Sequence, residues 1–191
     1  MAAAGTVLLF DNAILQRARR VGMTRKKMAV PKRRDEAAQP TRAHILIVEG
    51  RFYDELADEL LRGAVNRIKQ AGATYTRLTV PGALEIPGMA AIALDIAEDN
   101  DAPFDGVVGL GTIIRGETYH FEIVANESSR GLMDLSVKRG IPVGNGILTV
   151  ENEEQAWERA KVDRGDKGGG AVEAVLAVIR NARSFAASLE V

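Results

Sequence analysis

From Ala43 onward, short β-branched runs alternate with segments of helical period, and this alternation restricts the chain to very few folds. "AHILIVEG", "TYTRLTVPG", "DGVVGLGTII" and "IPVGNGILTV" each read as a strand ended by glycine, proline or a polar turn. Between the first two lies "FYDELADELLRGAVNRIKQAG", where Leu56, Leu60, Ala64 and Ile68 recur every four residues along one helical face, before Gly72 closes the helix. "IPGMAAIALDIAED" and "HFEIVANESSRGLMDLSVKRG" are predicted as the next two helices, the latter ended by Gly140. Asn152 and Gln155 form a capping-box pattern that opens "EEQAWERAK". After "DRGDKGGG", where three glycines permit a sharp entry, the last helix is expected over "AVEAVLAVIRNARSFAASLE". Strands that are apolar almost throughout need cover on both faces. The expectation is an α/β fold, a three-layer α/β/α sandwich of a four-stranded parallel sheet and five helices, connected by right-handed crossovers.

Charge divides the chain in two. Residues 1–40 carry nine Lys/Arg against three Asp/Glu, whereas the other 151 residues carry 16 against 23. The tail, residues 1–40, reads as basic and disordered, and residues 41–191 as the folded domain. Its positive charges follow the apolar "MAAAGTVLLF" rather than precede it, which argues against a secretory signal. An Arg-rich organelle-targeting leader, or an upstream start ahead of Met23 or Met28, are the alternatives to a tail without specific function. No cysteine is present, which excludes disulfides, thiolate metal sites and cysteine nucleophiles and fits a cytoplasmic location. No apolar run reaches the length of a membrane span. Nucleic-acid binding by the tail finds little support, because aromatic residues are not interleaved with its charges.

In open parallel sheets, ligands bind beyond the carboxyl ends of the strands. Here those ends lead into "EGRFY", "PGALEIPG", "RGETYH" and "ENEEQ". A dinucleotide site in "GLGTIIRG" fails, since the third glycine of the fingerprint would fall on Ile114. Gly116, Glu117 and Thr118 precede a helix, where unpaired N–H groups favour an anion; simple capping by Glu117 and Thr118 explains them equally well. Arg159 and Lys167 are either phosphate ligands or solvated surface cations. His120 has the side chain best suited to proton transfer near neutral pH, although a lone histidine is more often structural. Phe52 offers a stacking face or a packing contact, and Glu85 offers an acceptor to a polyol or an amine. His44 receives no role.

Five blocks, "RFYDELADELLRGA", "VPGALEIP", "GTIIRGETYHFEIVANESSRGLMDLS", "IPVGNGILTVENEEQAWERA" and "DKGGGAVEAVLAV", stand in the order and spacing of the lumazine synthases. The chain resembles that family over residues 42–189. The resemblance implies a flavodoxin-like sandwich and a cofactor-free, metal-free condensation in riboflavin biosynthesis. Its two small-molecule substrates would be 5-amino-6-(D-ribitylamino)uracil and 3,4-dihydroxy-2-butanone 4-phosphate. By motif, Phe52 would stack on the pyrimidine, Ala83, Leu84 and Glu85 would line the ribityl pocket, and Thr112, Ile113 and Ile114 would meet the ring edge. Glu117 and Thr118, with Arg159 and nearby Lys167, would hold the phosphate, and His120 would move protons.

The chain departs from the family pattern at three places. Asn145 stands where an aromatic is common, so ring stacking there gives way to hydrogen bonding, and Tyr53 follows Phe52 where asparagine is frequent. "KVDRGDKG" lacks the sequence associated with sixty-subunit shells, so the resemblance implies a homopentamer or a pair of pentamers. Active sites in the family lie between subunits, with Phe52, Glu85 and His120 expected from one chain and Asn145, Arg159 and Lys167 from its neighbour. The competing reading is a non-catalytic lumazine- or flavin-binding, or shell-forming, relative, for which Asn145 is the one supporting feature.

Overall fold

The computed structural model describes residues 40–189, so the basic tail expected over residues 1–40 lies outside the described residues apart from Pro40. The first strand, β1 (His44–Gly50), leads into α1 (Asp54–Gln70), and β2 (Thr74–Val80) follows. A short 3₁₀ turn over Ala83–Glu85 runs directly into α2 (Ile86–Asp99). Then come β3 (Gly106–Ile114), α3 (His120–Arg139), β4 (Val143–Val150), α4 (Glu153–Ala160) and α5 (Lys167–Leu189). All strands are parallel in the order β2-β1-β3-β4. This is the expected α/β sandwich with a flavodoxin-like strand order. The chain moves outward from β1 to β2 and then returns to the opposite side of β1, which makes a topological switch between β1 and β3.

The period of two in β1 decides which side chains face which layer. Ile45 and Ile47 pack with Leu60, Ile68, Val172 and Leu176 under α1, α4 and α5. Leu46 and Val48 turn to the other face and pack with Ile86, Ala90 and Leu132 of α2 and α3. Leu60, Ile68, Ile86, Leu132 and Leu176 are fully buried, and each such side chain is worth roughly 1.5–3 kcal/mol relative to exposure. The four-residue spacing read in α1 is realised: Leu56, Leu60, Ala64 and Ile68 are its buried stripe. Gly140 ends α3 with φ 64°, in the left-handed region where glycine avoids a Cβ penalty.

Two local expectations change. The Ala83–Glu85 turn has no periodicity that would announce it. The last helix starts at Lys167 rather than Ala171, with the three glycines inside its first turn and not ahead of it. Packing explains the shift. A Cβ on Gly168 would lie 2.0 Å from the carbonyl oxygen of Leu60, so glycine is what lets α5 touch the backbone of α1. Tertiary contact outweighs the low helix propensity of glycine.

Gly168 and Gly170 should therefore respond oppositely to the same substitution. Gly168→Ala forces two backbones apart and should destabilise by about 1–3 kcal/mol. A Cβ at Gly170 meets nothing within 4 Å, so Gly170→Ala should stabilise by about 0.5–1 kcal/mol. Urea unfolding midpoints of the two variants check the contrast, and a common sign would refute it.

Candidate active site at the carboxyl end of the sheet

Three strand ends converge at the switch. Gly50, the last residue of β1, sits so close to the β2 turn that a Cβ there would be 2.7 Å from the carbonyl carbon of Gly82. On the other side, a Cβ on Gly111 of β3 would lie 3.6 Å from that of Ala83. The Ala83–Glu85 turn thereby packs against the ends of β1 and β3, and Phe52 and Thr112–Ile114 stand at or just beyond these ends, at one mouth of the sheet. The loop Arg115–Tyr119 continues from β3, and the Arg115 amide donates to the Val150 carbonyl at 3.0 Å, joining the ends of β3 and β4.

Phe52 is 74% exposed and meets the ring of Tyr53 edge-on, with centroids 5.0 Å apart. The packing contact considered for it is absent, which leaves a flat apolar face presented at the mouth. Leu84 and Glu85 are exposed, Ala83 is buried, and Glu85 Oε2 accepts from the Gly82 amide at 2.9 Å, closing the turn. Thr112 and Ile113 are buried, and Thr112 Oγ1 is a buried hydroxyl without a hydrogen-bond partner. His120 is the exposed first residue of α3.

Capping does not account for Glu117 and Thr118. The residue at the cap position of α3 is Tyr119, with no side-chain cap bond, because Thr118 stands one residue too early. The exposed segment Gly116–Tyr119 thus leads into the amino end of a 20-residue helix whose cap residue makes no side-chain cap bond. That arrangement is favourable for an anion.

Arg115, which sequence reasoning passed over, holds this loop. Its Nε donates to Glu151 at 2.6 Å and its Nη1 to Glu122 at 2.5 Å, while its guanidinium lies 4.0 Å from the centroid of the Phe121 ring. The Arg115 cation holds the Glu122 carboxyl below the usual range for a glutamate. The available signal was a lone arginine between an apolar strand and a glycine.

Asn145, Arg159 and Lys167, the residues expected from a neighbouring chain, lie on β4, α4 and α5. Asn145 lies in the middle of edge strand β4, paired in register with Gly109; its amide nitrogen donates to Ser129 at 3.4 Å and its oxygen accepts from the Ile147 amide at 2.9 Å. Arg159 is six residues along α4 from Glu153, about 9 Å along the helix axis from it. Its Nη1 donates to the Gln155 carbonyl at 2.9 Å. Lys167 opens α5 beside the middle of α1. The loop ahead of it packs back on α4, where a Cβ on Gly165 would lie 2.7 Å from the Arg159 Cα. Asn152 caps α4 as expected, accepting from the Gln155 amide at 2.9 Å, but the Gln155 side chain reaches back to the Glu151 amide rather than to the cap residue. His44 is structural. Its ring nitrogens lie 2.7 and 2.9 Å from the hydroxyls of Thr74 and Thr76, and it stacks on Phe104. Among the described residues, no group of three or more His, Asp or Glu side chains is placed to hold a metal ion.

The profile of the 6,7-dimethyl-8-ribityllumazine synthase family matches residues 42–183. The chain belongs to the lumazine synthase family. The Azorhizobium caulinodans 6,7-dimethyl-8-ribityllumazine synthase is 63% identical over 145 residues, covering 75% of this chain and 90% of that protein. The Agrobacterium fabrum lumazine synthase is 59% identical over 139 residues, 73% of this chain and 94% of its own length. The Afipia carboxidovorans lumazine synthase is 54% identical over 161 residues, 83% and 99% respectively.

Asp166, immediately before Lys167, provides a pH-dependent check on this region. Its backbone adopts φ 38°, in the left-handed region, and its carboxylate accepts from the Gly169 amide at 3.1 Å to cap α5. Burial pushes its carboxyl above the ordinary aspartate range. A raised carboxyl favours the folded state at low pH, and that contribution is lost as pH rises through the folded value. Asp166→Asn keeps an acceptor and tolerates the left-handed backbone. It should raise the urea midpoint at pH 7, with the difference vanishing below about pH 3. An advantage that does not depend on pH would show that burial of the charge is not its cause.

Proposed function

We propose that this chain is a 6,7-dimethyl-8-ribityllumazine synthase, a transferase of riboflavin biosynthesis. It condenses 5-amino-6-(D-ribitylamino)uracil with 3,4-dihydroxy-2-butanone 4-phosphate. The amine of the pyrimidine attacks the ketone and forms a Schiff base with loss of water. Phosphate then leaves, and closure of the second ring releases water. The observation that carries the reading is the family match over residues 42–183, and the exposed ring of Phe52 after β1 and the start of α3 at His120 after β3 support it.

Each group suits one demand of the reaction. Phe52 stacks on the pyrimidine, and Ala83, Leu84 and Glu85 receive the ribityl chain. Thr112, Ile113 and Ile114 meet the ring edge. Backbone N–H groups at Glu117 and Thr118 receive the phosphate, and donors that bind more strongly as charge develops on the leaving group lower the barrier. His120 stands at the same helix end and transfers protons between the reacting nitrogen and oxygen atoms. Orientation of two bound substrates supplies the remainder of the acceleration.

The site is completed by a second copy of the chain. Asn145, Arg159 and Lys167 lie away from the mouth within one copy, which supports a neighbour's Arg159 and Lys167 closing over the phosphate. Ile92 and Ile96 on α2 and Met133 and Val137 on α3 are more than half exposed, and an exposed apolar face of this kind supports self-association, as a pentamer or a multiple of pentamers. Among the described residues no helix is long and apolar enough to cross a membrane, and the reading places the enzyme in the cytoplasm.

Mixing the two substrates with purified protein should give fluorescent lumazine, and absence of turnover by the oligomer would refute the assignment. His120→Ala should lower kcat by about 10²–10⁴-fold, the range for loss of a general acid–base group. Arg159→Ala should chiefly raise KM for the phosphorylated substrate. Steady-state kinetics with each substrate varied in turn separates these effects, and wild-type constants in either variant would remove that residue from the mechanism.

A further inference from the structure

Glu49, the penultimate residue of β1, is a fully buried carboxylate in an otherwise apolar strand. It belongs to no part of the site described above. Its Oε1 accepts from Arg51 Nη1 at 3.1 Å and from Arg77 Nε at 2.8 Å, with Arg77 Nη2 also bonded. Its Oε2 is buried without a partner. A charge taken this far out of water is costly unless paired, and pairing by two guanidinium groups answers that cost.

The outer arms of Arg51 reach the start of α1. Its Nε donates to Asp54 Oδ1 at 2.7 Å, its Nη2 to the Asp54 carbonyl at 3.4 Å, and its Nη1 also to Asp58 at 2.8 Å. The hydrogen bonds to Asp58 and Asp54 raise the Arg51 guanidinium above its already high ordinary value, so it stays charged. Its amide donates to the Val80 carbonyl at 3.0 Å. Residues 51–54 therefore form a small ring closed by the Arg51 side chain, and Phe52 and Tyr53 are the two residues enclosed. Tyr53, at the cap position of α1, provides no side-chain cap bond, so the arginine replaces the missing cap as the tether.

We propose that Glu49 and Arg51 are positioning residues for Phe52: the buried carboxylate anchors an arginine that closes the Arg51–Asp54 turn and presents the aromatic face to the pyrimidine. The proposal rests on the stacking role assigned to Phe52. Holding an exposed phenyl ring in advance removes an ordering cost from binding the ring substrate. The phosphorylated substrate does not meet that ring, so its binding should be indifferent to the anchor.

The test uses Arg51→Met, which keeps the stem and removes the fork, with Arg51→Lys and Glu49→Gln as milder partners. Binding of 5-amino-6-(D-ribitylamino)uracil alone is titrated against each full-length oligomer, and turnover is measured separately. Arg51→Met should weaken the pyrimidine about 5–10-fold, leaving KM for the phosphorylated substrate within about twofold. Arg51→Lys should recover part of the loss, since a point charge cannot make the fork. Glu49→Gln, which retains an acceptor for the fork, should fall between wild type and Arg51→Met. If Arg51→Met folds with a lowered Tm but binds the pyrimidine as wild type does, or if both substrates weaken equally, the residues are merely structural and the proposal fails. Weakened pyrimidine binding in a protein without turnover would uphold the positioning role and overturn the enzymatic reading instead.

Discussion

Parallel pairing of β1 with β3, while β2 occupies the far side of β1, is the constraint on which the remaining structure depends. A parallel neighbour cannot be reached by a tight turn, so the chain must cross the sheet after every strand. Those crossovers cover both faces and allow β1 and β3 to be apolar nearly throughout. They also send the connections on either side of β1 to opposite layers. The Ala83–Glu85 turn packs against the carboxyl ends of β1 and β3, and Phe52 and the Arg115–Tyr119 loop follow directly from those two ends.

Two arginines stabilise the segments that follow those ends by different means. Arg51 carries the influence of a buried carboxylate outward to the first turn of α1. Arg115 spans from Glu151 to Glu122 across the loop ahead of His120, with the Phe121 ring beneath it. The Arg51–Asp54 turn and the Arg115–Tyr119 loop thus each have one cation as tether. Ion pairs at a surface contribute little to stability. Their value here is conformational, since they hold short exposed segments that have few apolar contacts of their own.

Much of this was legible in the sequence, and the failures have physical reasons. Strand–helix alternation gave all four strands and the helix stripe of Leu56, Leu60, Ala64 and Ile68, because period alone encodes which face is buried. The start of α5 was misplaced because Gly168–Gly170 read as a break, whereas contact of Gly168 with the α1 backbone pulls those residues into the helix. The 3₁₀ turn at Ala83–Glu85 was missed because three residues carry no periodicity. At the site, composition could not tell that Phe52 is exposed or that Tyr119 rather than Thr118 takes the cap position of α3. Glu49 drew no separate reading, because its pairing with Arg77 depends on strand register, which sets Arg77 beside Ile47 on the same sheet face.

In the proposed assembly, one copy supplies the mouth of the site and a neighbouring copy supplies the cations. Co-refolding His120→Ala chains with Arg159→Ala chains tests it most directly. The mixture is assayed at a concentration of phosphorylated substrate that leaves each parent oligomer nearly inactive. Sites formed between an intact His120 on one chain and an intact Arg159 on the next should restore turnover well above the sum of the parents. A mixed oligomer no more active than its parents would show that both residues serve the same chain's site, and would contradict the claim.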